Sequence, residues 1–140
     1  MKNFDEFIER GIVKIRKKNV ERVKSLIEEA SKRLNFYNSI PISEKSANYV
    51  IENMYDVVRE LIEARMLLEG YKSYSHEASI AYLYNDKDFT PSLLEELDRL
   101  RRKRHGIHYY GKRVSAEDAQ DARKLAQVLV PKMKAKIGLL

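Results

Sequence analysis

The chain has 140 residues, no cysteine and 27 basic against 21 acidic residues, which gives a formal net charge of +6. This length fits one domain with its own core, and a composition of 44% hydrophobic and 34% charged residues excludes a disordered chain. No apolar run approaches the roughly 18 residues of a membrane span, and the charged N-terminus is unlike a signal peptide. The absence of cysteine excludes a disulfide scaffold and a thiolate metal site. From these observations together, we expect a soluble cytoplasmic protein.

The first predicted element is a long helix from about Asn3 to Asn38. Apolar residues recur there at three- and four-residue steps, which is the helical period. Gly11 and the polar stretch 16–19 are points at which this helix kinks or breaks. Pro41 ends the element, because proline disfavours helical backbone at the residue before it.

Two further helices follow. The second is capped by Ser43, runs to about Glu69 and stops at Gly70. A short third helix, opened by Ser73 or Ser75, carries apolar residues as far as Leu83. Residues 85–89 form a polar loop.

The fourth and fifth helices have the clearest boundaries. Thr90 followed by Pro91 is an N-cap with proline at the first helical position, and Gly111 terminates this fourth helix. Ser115 caps the fifth helix, which Pro131 kinks or ends. The sequence thus contains five predicted helices joined by short loops and no convincing strand. This pattern predicts an all-α protein.

We therefore expect one domain over residues 1–140, built as an up-and-down bundle of four to five helices. Tyrosines crowd the middle of the chain, and tyrosine is common at protein interfaces. These tyrosines are Tyr49, Tyr55, Tyr71, Tyr74, Tyr82 and Tyr84. A homodimer is the expected assembly.

The positive charge is concentrated in one short segment. Residues 99–113 hold seven basic and no acidic residues, whereas residues 38–98 hold five basic and twelve acidic ones. The stretch from Leu100 to Gly111 also contains two histidines and two tyrosines. Clustered cations are typical of an anion site, and histidine can transfer protons near neutral pH. The segment therefore predicts binding or chemistry on a phosphodiester.

Helical geometry places three of these side chains on one face of the fourth helix. At about 100° per residue, Arg101 and His108 lie within about 20° of each other, and Arg104 shares their face. Arg102 points about 120° away if the helix is regular. Leu97 lies near the shared face, so apolar packing beside it would strengthen an arginine–phosphate contact.

These residue types match RNA cleavage without a metal ion. A base takes the proton of the ribose 2′-hydroxyl, the oxygen attacks the adjacent phosphorus, and an acid protonates the leaving 5′-oxygen. His108 suits either proton transfer, and an arginine fork can hold the phosphate oxygens as charge develops. Because one histidine does not easily serve both roles at once, a symmetric dimer would supply the second set.

Structural roles explain part of the same pattern. Basic residues near a helix C-terminus complement the helix dipole, and histidine there can cap free carbonyls. His76 is expected at the start of the third helix, with lining of the groove as the lesser alternative. Three histidines without a dense carboxylate cluster predict no metal site, and the glycines form no phosphate-binding loop.

Two blocks of the chain resemble the HEPN family (higher eukaryotes and prokaryotes nucleotide-binding domain), within about residues 43–130. The first block is the helix 55–70 with its terminal glycine, followed by Ser75-His76-Glu77-Ala78 at the start of a short helix. The second block is the basic stretch 100–111. The resemblance implies a helical bundle that is usually dimeric.

The second block resembles two variants of the family's site. Many members are metal-independent ribonucleases with an arginine, four to six residues and then a histidine, a spacing that Arg101 and Arg102 both satisfy with His108. The members that pair with small nucleotidyltransferases have a shorter form, which Arg104-His105-Gly106-Ile107-His108-Tyr109 matches. In toxin members the pattern extends to a tyrosine that the partner antitoxin can adenylylate, and His108-Tyr109-Tyr110 fits that extension.

The resemblance implies a set of site residues. The catalytic candidates are His108, Arg104, Arg101 and Arg102, the candidates for binding RNA or nucleotide are Lys103, His105, Tyr109 and Lys112, and Tyr110 is the candidate for modification. No cofactor is expected. The first hypothesis is a toxin-like ribonuclease that acts on RNA at a dimer interface. The alternative is a non-catalytic partner that binds nucleotide or substrate for a separate nucleotidyltransferase encoded nearby. A third hypothesis is a helical dimer whose basic patch binds nucleic acid without chemistry.

Overall fold

The computed structural model describes residues 3–138, which are mostly helical. In chain order the elements are α1 (Phe4–Glu9), β1 (Val13–Ile15), α2 (Val20–Ser39), α3 (Ala47–Leu68), β2 (Tyr71–Ser73), α4 (His76–Leu83), α5 (Pro91–Tyr110) and α6 (Ala116–Ile137). The predicted predominance of helix is confirmed, and one small two-stranded ribbon is added to it. Among these described helices, none has the length and apolar character needed to cross a membrane.

The prediction of a single first helix is wrong, because the chain breaks at Gly11. α1 stops at Glu9, and Gly11 takes a left-handed backbone conformation with a φ of 74°. The polar stretch after β1 leads to Asn19, whose side chain accepts a hydrogen bond from the Arg22 amide and caps α2. The two weak points seen in the sequence thus separate three elements.

β1 and β2 form an antiparallel ribbon that the sequence did not predict. Val13 is opposite Ser73 in the register, and the Arg16 amide extends the pairing by donating to the Gly70 carbonyl at 2.8 Å. Strands of three residues are too short to show the alternation by which strands are recognised. The ribbon ties the N-terminal segment to the end of α3.

α3 is the central helix of the bundle. It contacts α2, α4, α5 and α6 as well as β2. Its apolar residues cover a wide face of the helix, as expected for a helix that packs against several neighbours. The fully buried side chains of α3 are Ala47, Val50, Ile51, Met54, Val57, Val58, Leu61, Ala64 and Met66.

Polar contacts fix the helices around α3. The buried Glu60 carboxylate of α3 pairs with the Arg33 guanidinium of α2. On α6, the Arg123 guanidinium donates to the carbonyls of Tyr37 and Ile40, which are the last carbonyls at the end of α2. Free carbonyls at a helix terminus need such partners, so Arg123 both caps α2 and holds α6 beside it.

The predicted start of the second helix is too early. Residues 43–46 form a turn in which the Ser43 carbonyl accepts from the amides of Ser46 and Ala47, so α3 begins only at Ala47. For the short helix α4, Ser75 and not Ser73 is the N-cap, since its hydroxyl accepts from the Ala78 amide at 3.3 Å.

The fifth predicted helix does not end at Pro131. α6 continues to Ile137 with Pro131 inside it. The proline ring is exposed, while Val130 and Met133 on either side are buried. Packing on both sides of the proline therefore outweighs the cost of the missing backbone hydrogen bond.

Candidate functional site

α5 carries the predicted site and has the boundaries that the sequence predicted. The Thr90 hydroxyl accepts from the Leu93 amide at 3.2 Å, and Pro91 occupies the first turn. At the other end, Gly111 adopts a left-handed conformation with a φ of 59°, and its amide donates to the Ile107 carbonyl at 3.2 Å. The basic segment therefore lies in the last turns of a regular helix.

Arg101 and Arg104 lie on the face of α5 that is directed towards α3. The Arg101 Nε donates to the Asp98 carboxylate at 2.8 Å. The Arg104 Nη2 lies 3.4 Å from the Asp56 carboxylate of α3, and its guanidinium carbon lies 6.0 Å from the centre of the Tyr55 ring. Both arginine side chains are half-buried. The helical phase inferred from the sequence agrees with this placement.

His108 lies one turn beyond Arg104 and is exposed. Its ring packs edge-on against Tyr109, with 4.8 Å between the ring centres. The His108 side chain makes no protein hydrogen bond within residues 3–138. Its imidazole nitrogens are therefore open to solvent or to a ligand.

The other predicted cations lie on a second surface of α5, beside α6. Arg102 is the most exposed of the predicted arginines, with 63% of its side chain accessible. Lys103 donates to the Asp118 carboxylate of α6 at 2.9 Å. A Cβ added at Gly106 would lie 3.1 Å from Lys112 Cδ, so the lysine stem covers that glycine. These cations border a groove between α5 and α6, so the predicted residues divide between two surfaces.

An exposed aromatic cluster ends α5. The His105 ring lies 4.5 Å from the Tyr109 ring and 5.8 Å from the Tyr110 ring, measured between centres. Tyr109 is 64% exposed and Tyr110 is 71% exposed. Exposed planar side chains beside cations are the arrangement on which nucleic-acid bases stack.

The structure adds a residue pair that the sequence reasoning did not find. The Tyr55 hydroxyl lies 2.7 Å from His76 Nδ1, and the two rings are stacked with 5.5 Å between centres. Burial raises the pKa of the Tyr55 phenol, so the phenol keeps its proton. Burial, together with the nearby Arg59 and Arg104, lowers the pKa of His76.

These two shifts assign the hydrogen bond. Since Tyr55 is 2% exposed and keeps its proton, its hydroxyl needs an acceptor, and His76 Nδ1 is the one within reach among the described residues. The neutral His76 ring then carries its proton on Nε2. His76 is thus a hydrogen-bonded component of the site as well as the first residue of α4.

Arginines surround this pair. The Asp56 Oδ1 atom lies 3.4 Å from Arg104 Nη2 and 3.7 Å from Arg59 Nε, so one carboxylate bridges two cations from different helices. A cavity of about 210 Å³ adjoins His76 and Arg59. It is lined by Arg59, Glu63, Ser73, Tyr74, Ser75, His76 and Ser79. No sequence pattern marks this arrangement, because contact between α3, α4 and α5 is tertiary.

The chain matches no protein-family model and no curated protein. The HEPN resemblance therefore stays a prediction that rests on the residues of the two blocks. Among residues 3–138, no three histidine or acidic side chains are grouped closely enough to hold a metal ion. The residues of the site supply arginine cations, the exposed imidazole of His108 and the half-buried imidazole of His76.

Proposed function

We propose that this protein is a HEPN-type, metal-independent ribonuclease that acts on RNA through Arg104 and His108. One observation carries the proposal: the two side chains share a face of α5, one turn apart, with Arg104 held against α3 and His108 exposed beyond it. A fixed cation next to an accessible imidazole is what cleavage by the ribose 2′-hydroxyl requires.

In the proposed reaction, Arg104 holds a non-bridging phosphate oxygen. Its Nε is buried and has no hydrogen-bond partner in the described part of the chain, so a donor is left for a ligand after a small side-chain movement. His108 takes the proton of the 2′-hydroxyl, whose oxygen forms a new bond to phosphorus. The bond to the 5′-oxygen breaks, and that oxygen receives a proton, leaving a 2′,3′-cyclic phosphate.

We further propose that the active form is a homodimer. Each chain offers one exposed imidazole on this face, and a two-fold arrangement would supply the acid that complements the base.

The proposal is tested by incubating the purified protein with end-labelled RNA in excess EDTA. We expect cleavage to persist and the products to end in a 2′,3′-cyclic phosphate. His108→Ala should abolish cleavage because it removes the proposed base, and the fold should tolerate the change because His108 is exposed. Arg22→Ala, which removes an exposed cation on α2, is the control and should cleave normally. Equal cleavage by His108→Ala and the wild type would exclude this reaction at His108.

A second candidate function is that of a non-catalytic, nucleotide- or substrate-binding partner of a separate nucleotidyltransferase, which can also modify this chain. The observation in its favour is the exposure of Tyr109 and Tyr110 at the end of α5, since a modifying enzyme must reach the phenol. With such an enzyme and ATP, the chain should gain one or more nucleotidyl groups, and Tyr110→Phe should lose that gain. RNA that is bound without being cleaved would favour this role, or plain nucleic-acid binding, over the ribonuclease.

A further inference from the structure

A long groove separates α5 from α6. Both helices pack on α3, but they contact each other little beyond the loop that joins them. The groove has a volume of about 830 Å³, and it is lined by α5 from Glu96 to Gly106 and by α6 from Asp118 to Val128. Each stretch spans about 15 Å at a rise of roughly 1.5 Å per residue, which is about three helical turns.

The rim of this α5–α6 groove is positively charged. Three cations of α5, two cations of the loop that joins α5 to α6 and one cation of α6 line it, against three acidic residues. The cations are Arg99, Arg102, Lys103, Lys112, Arg113 and Lys124, and the acids are Glu96, Asp118 and Asp121. Asp118 accepts from Lys103 at 2.9 Å and from the Ser115 amide at 3.0 Å, so Lys103 and Asp118 neutralise each other and five cations remain against two acids. The rim therefore favours an acidic occupant.

The floor of the groove is aliphatic. Leu100 and Leu125 form its base, Val114 closes one end, and Val128 stands at the other with 48% of its surface exposed. Aromatic side chains are missing from the lining residues; His105, Tyr109 and Tyr110 lie outside it. Bases of single-stranded RNA bind best where they can stack on rings, so the floor suits aliphatic side chains better than nucleobases.

We propose that the α5–α6 groove binds an acidic amphipathic helix, about three turns long, from another protein. A helix placed between two helices presents apolar residues at three- and four-residue intervals to the floor, while its flanking glutamates or aspartates reach the cationic rim. The length of the groove, its aliphatic floor and its charge each match that ligand.

A second copy of this chain is a poorer match. The leucine-rich acidic stretch in α5 has its apolar side chains inside the core, since Leu94 and Leu97 are fully buried. On α2 the exposed apolar side chains, Val20 and Phe36, stand near opposite ends of the helix. Among the described helices, none therefore presents an acidic face with a continuous apolar stripe.

The proposal has a consequence for the ribonuclease, although it does not rest on that activity. Lys103 and Lys112 belong both to the groove and to the predicted RNA-binding set, and the groove also contains Arg102, a predicted catalytic candidate. A bound acidic helix would neutralise these cations and compete with RNA for them. Occupation of the groove is thus expected to inhibit RNA binding without contact with Arg104.

The test measures binding of a designed peptide to the full chain by fluorescence anisotropy. The probe is a labelled, stapled acidic helix of about 14 residues with leucines on one face, and a scrambled peptide of equal charge is its reference. The variant is Val128→Asn, which removes apolar contact at an exposed site. Gln127→Asn is the matched control, because it lies next to Val128, is exposed and is outside the groove lining.

We expect the helical probe to bind at least tenfold more tightly than the scrambled one, a difference of about 1.4 kcal/mol. Val128→Asn should weaken that binding about fivefold, which is about 1 kcal/mol, and Gln127→Asn should leave it unchanged. Equal binding of the two peptides, or equal effects of the two variants, would overturn the proposal. A loss of RNA affinity in Val128→Asn with no peptide binding would show RNA to be the occupant instead. A change of oligomeric state in Val128→Asn would show the groove to be an interface between copies.

Discussion

The Tyr55 hydroxyl lies 2.7 Å from Nδ1 of His76, which joins the middle of α3 to the first residue of α4. The pair is packed beneath Arg104, the arginine on the same face as His108. A hydrogen bond between the buried Tyr55 and the half-buried His76 thus supports the part of the site that would bind phosphate.

Tyr55→Phe tests this bond with almost no change of shape. Removal of the hydroxyl leaves His76 Nδ1 without its partner, which should lower the free energy of unfolding by about 1–2 kcal/mol. Tyr49→Phe on the same helix is the control, since Tyr49 is 56% exposed. Urea denaturation measures both variants, and equal stability of the two would mean that the bond contributes nothing.

His76 should make stability depend on pH. Burial first, then Arg59, Arg104 and Arg101, lower its pKa, and Asp56 opposes them. Because the folded protein binds the proton more weakly than the unfolded chain, stability is complete above the unfolded value of about 6.5 and falls as the pH drops below it. His76→Gln should flatten this fall in urea titrations between about pH 7 and 5, and His105→Gln should retain it. A wild-type profile without any fall would contradict the assignment.

Two glycines at the end of α5 should respond in opposite directions to alanine. Gly111 has a φ of 59°, so Gly111→Ala should cost about 1 kcal/mol from backbone strain alone. Gly106 is within the helix, and its new Cβ would meet only the flexible Lys112 stem. Gly106→Ala should therefore be neutral or stabilise the fold by up to about 1 kcal/mol. Thermal unfolding checks both, and a large loss in Gly106→Ala would show that the lysine stem cannot move.

Arg102 and Arg101 should separate RNA affinity from stability. Arg102 is mostly exposed, and its ion pair with Asp98 at 3.5 Å is at the surface, where such pairs contribute little to stability. Arg102→Ala should therefore weaken RNA binding and reduce the slope of log affinity against log salt by about 1, with little change in stability. Arg101 is half-buried and bonded to Asp98, so Arg101→Ala should chiefly lower stability. Salt titrations and urea denaturation together decide this, and identical behaviour of the two variants would rule out the division of α5 into two surfaces.

Local signals accounted for the features that the sequence predicted well. Thr90, Ser115 and Gly111 act within one turn of their own helix, so their roles can be recognised without the fold. The fixed rotation per residue of a regular helix also predicted that Arg101 and Arg104 share a face of α5. Helix boundaries were missed where neighbours in space decide, as at Pro131, where packing on α3 carries α6 through the proline.

Non-local contacts account for the rest. The ribbon depends on residues that are far apart in sequence, and the Tyr55–His76 bond depends on how α4 docks on α3. Neither arrangement has a periodicity to detect. The sequence correctly predicted His76 at the start of a helix, but its hydrogen bond to Tyr55 depends on the tertiary fold.

The β1–β2 ribbon also sets an order of assembly. Val13 pairs with Ser73 across some sixty positions of chain, which is a contact of high sequence separation, whereas neighbouring helices can meet through short connections. The entropy of closing so large a loop is repaid only once α2 and α3 are in place, so the N-terminal segment docks late. Because β2 leads directly into α4, separation of β1 from β2 would be a local unfolding event that releases His76 from its position.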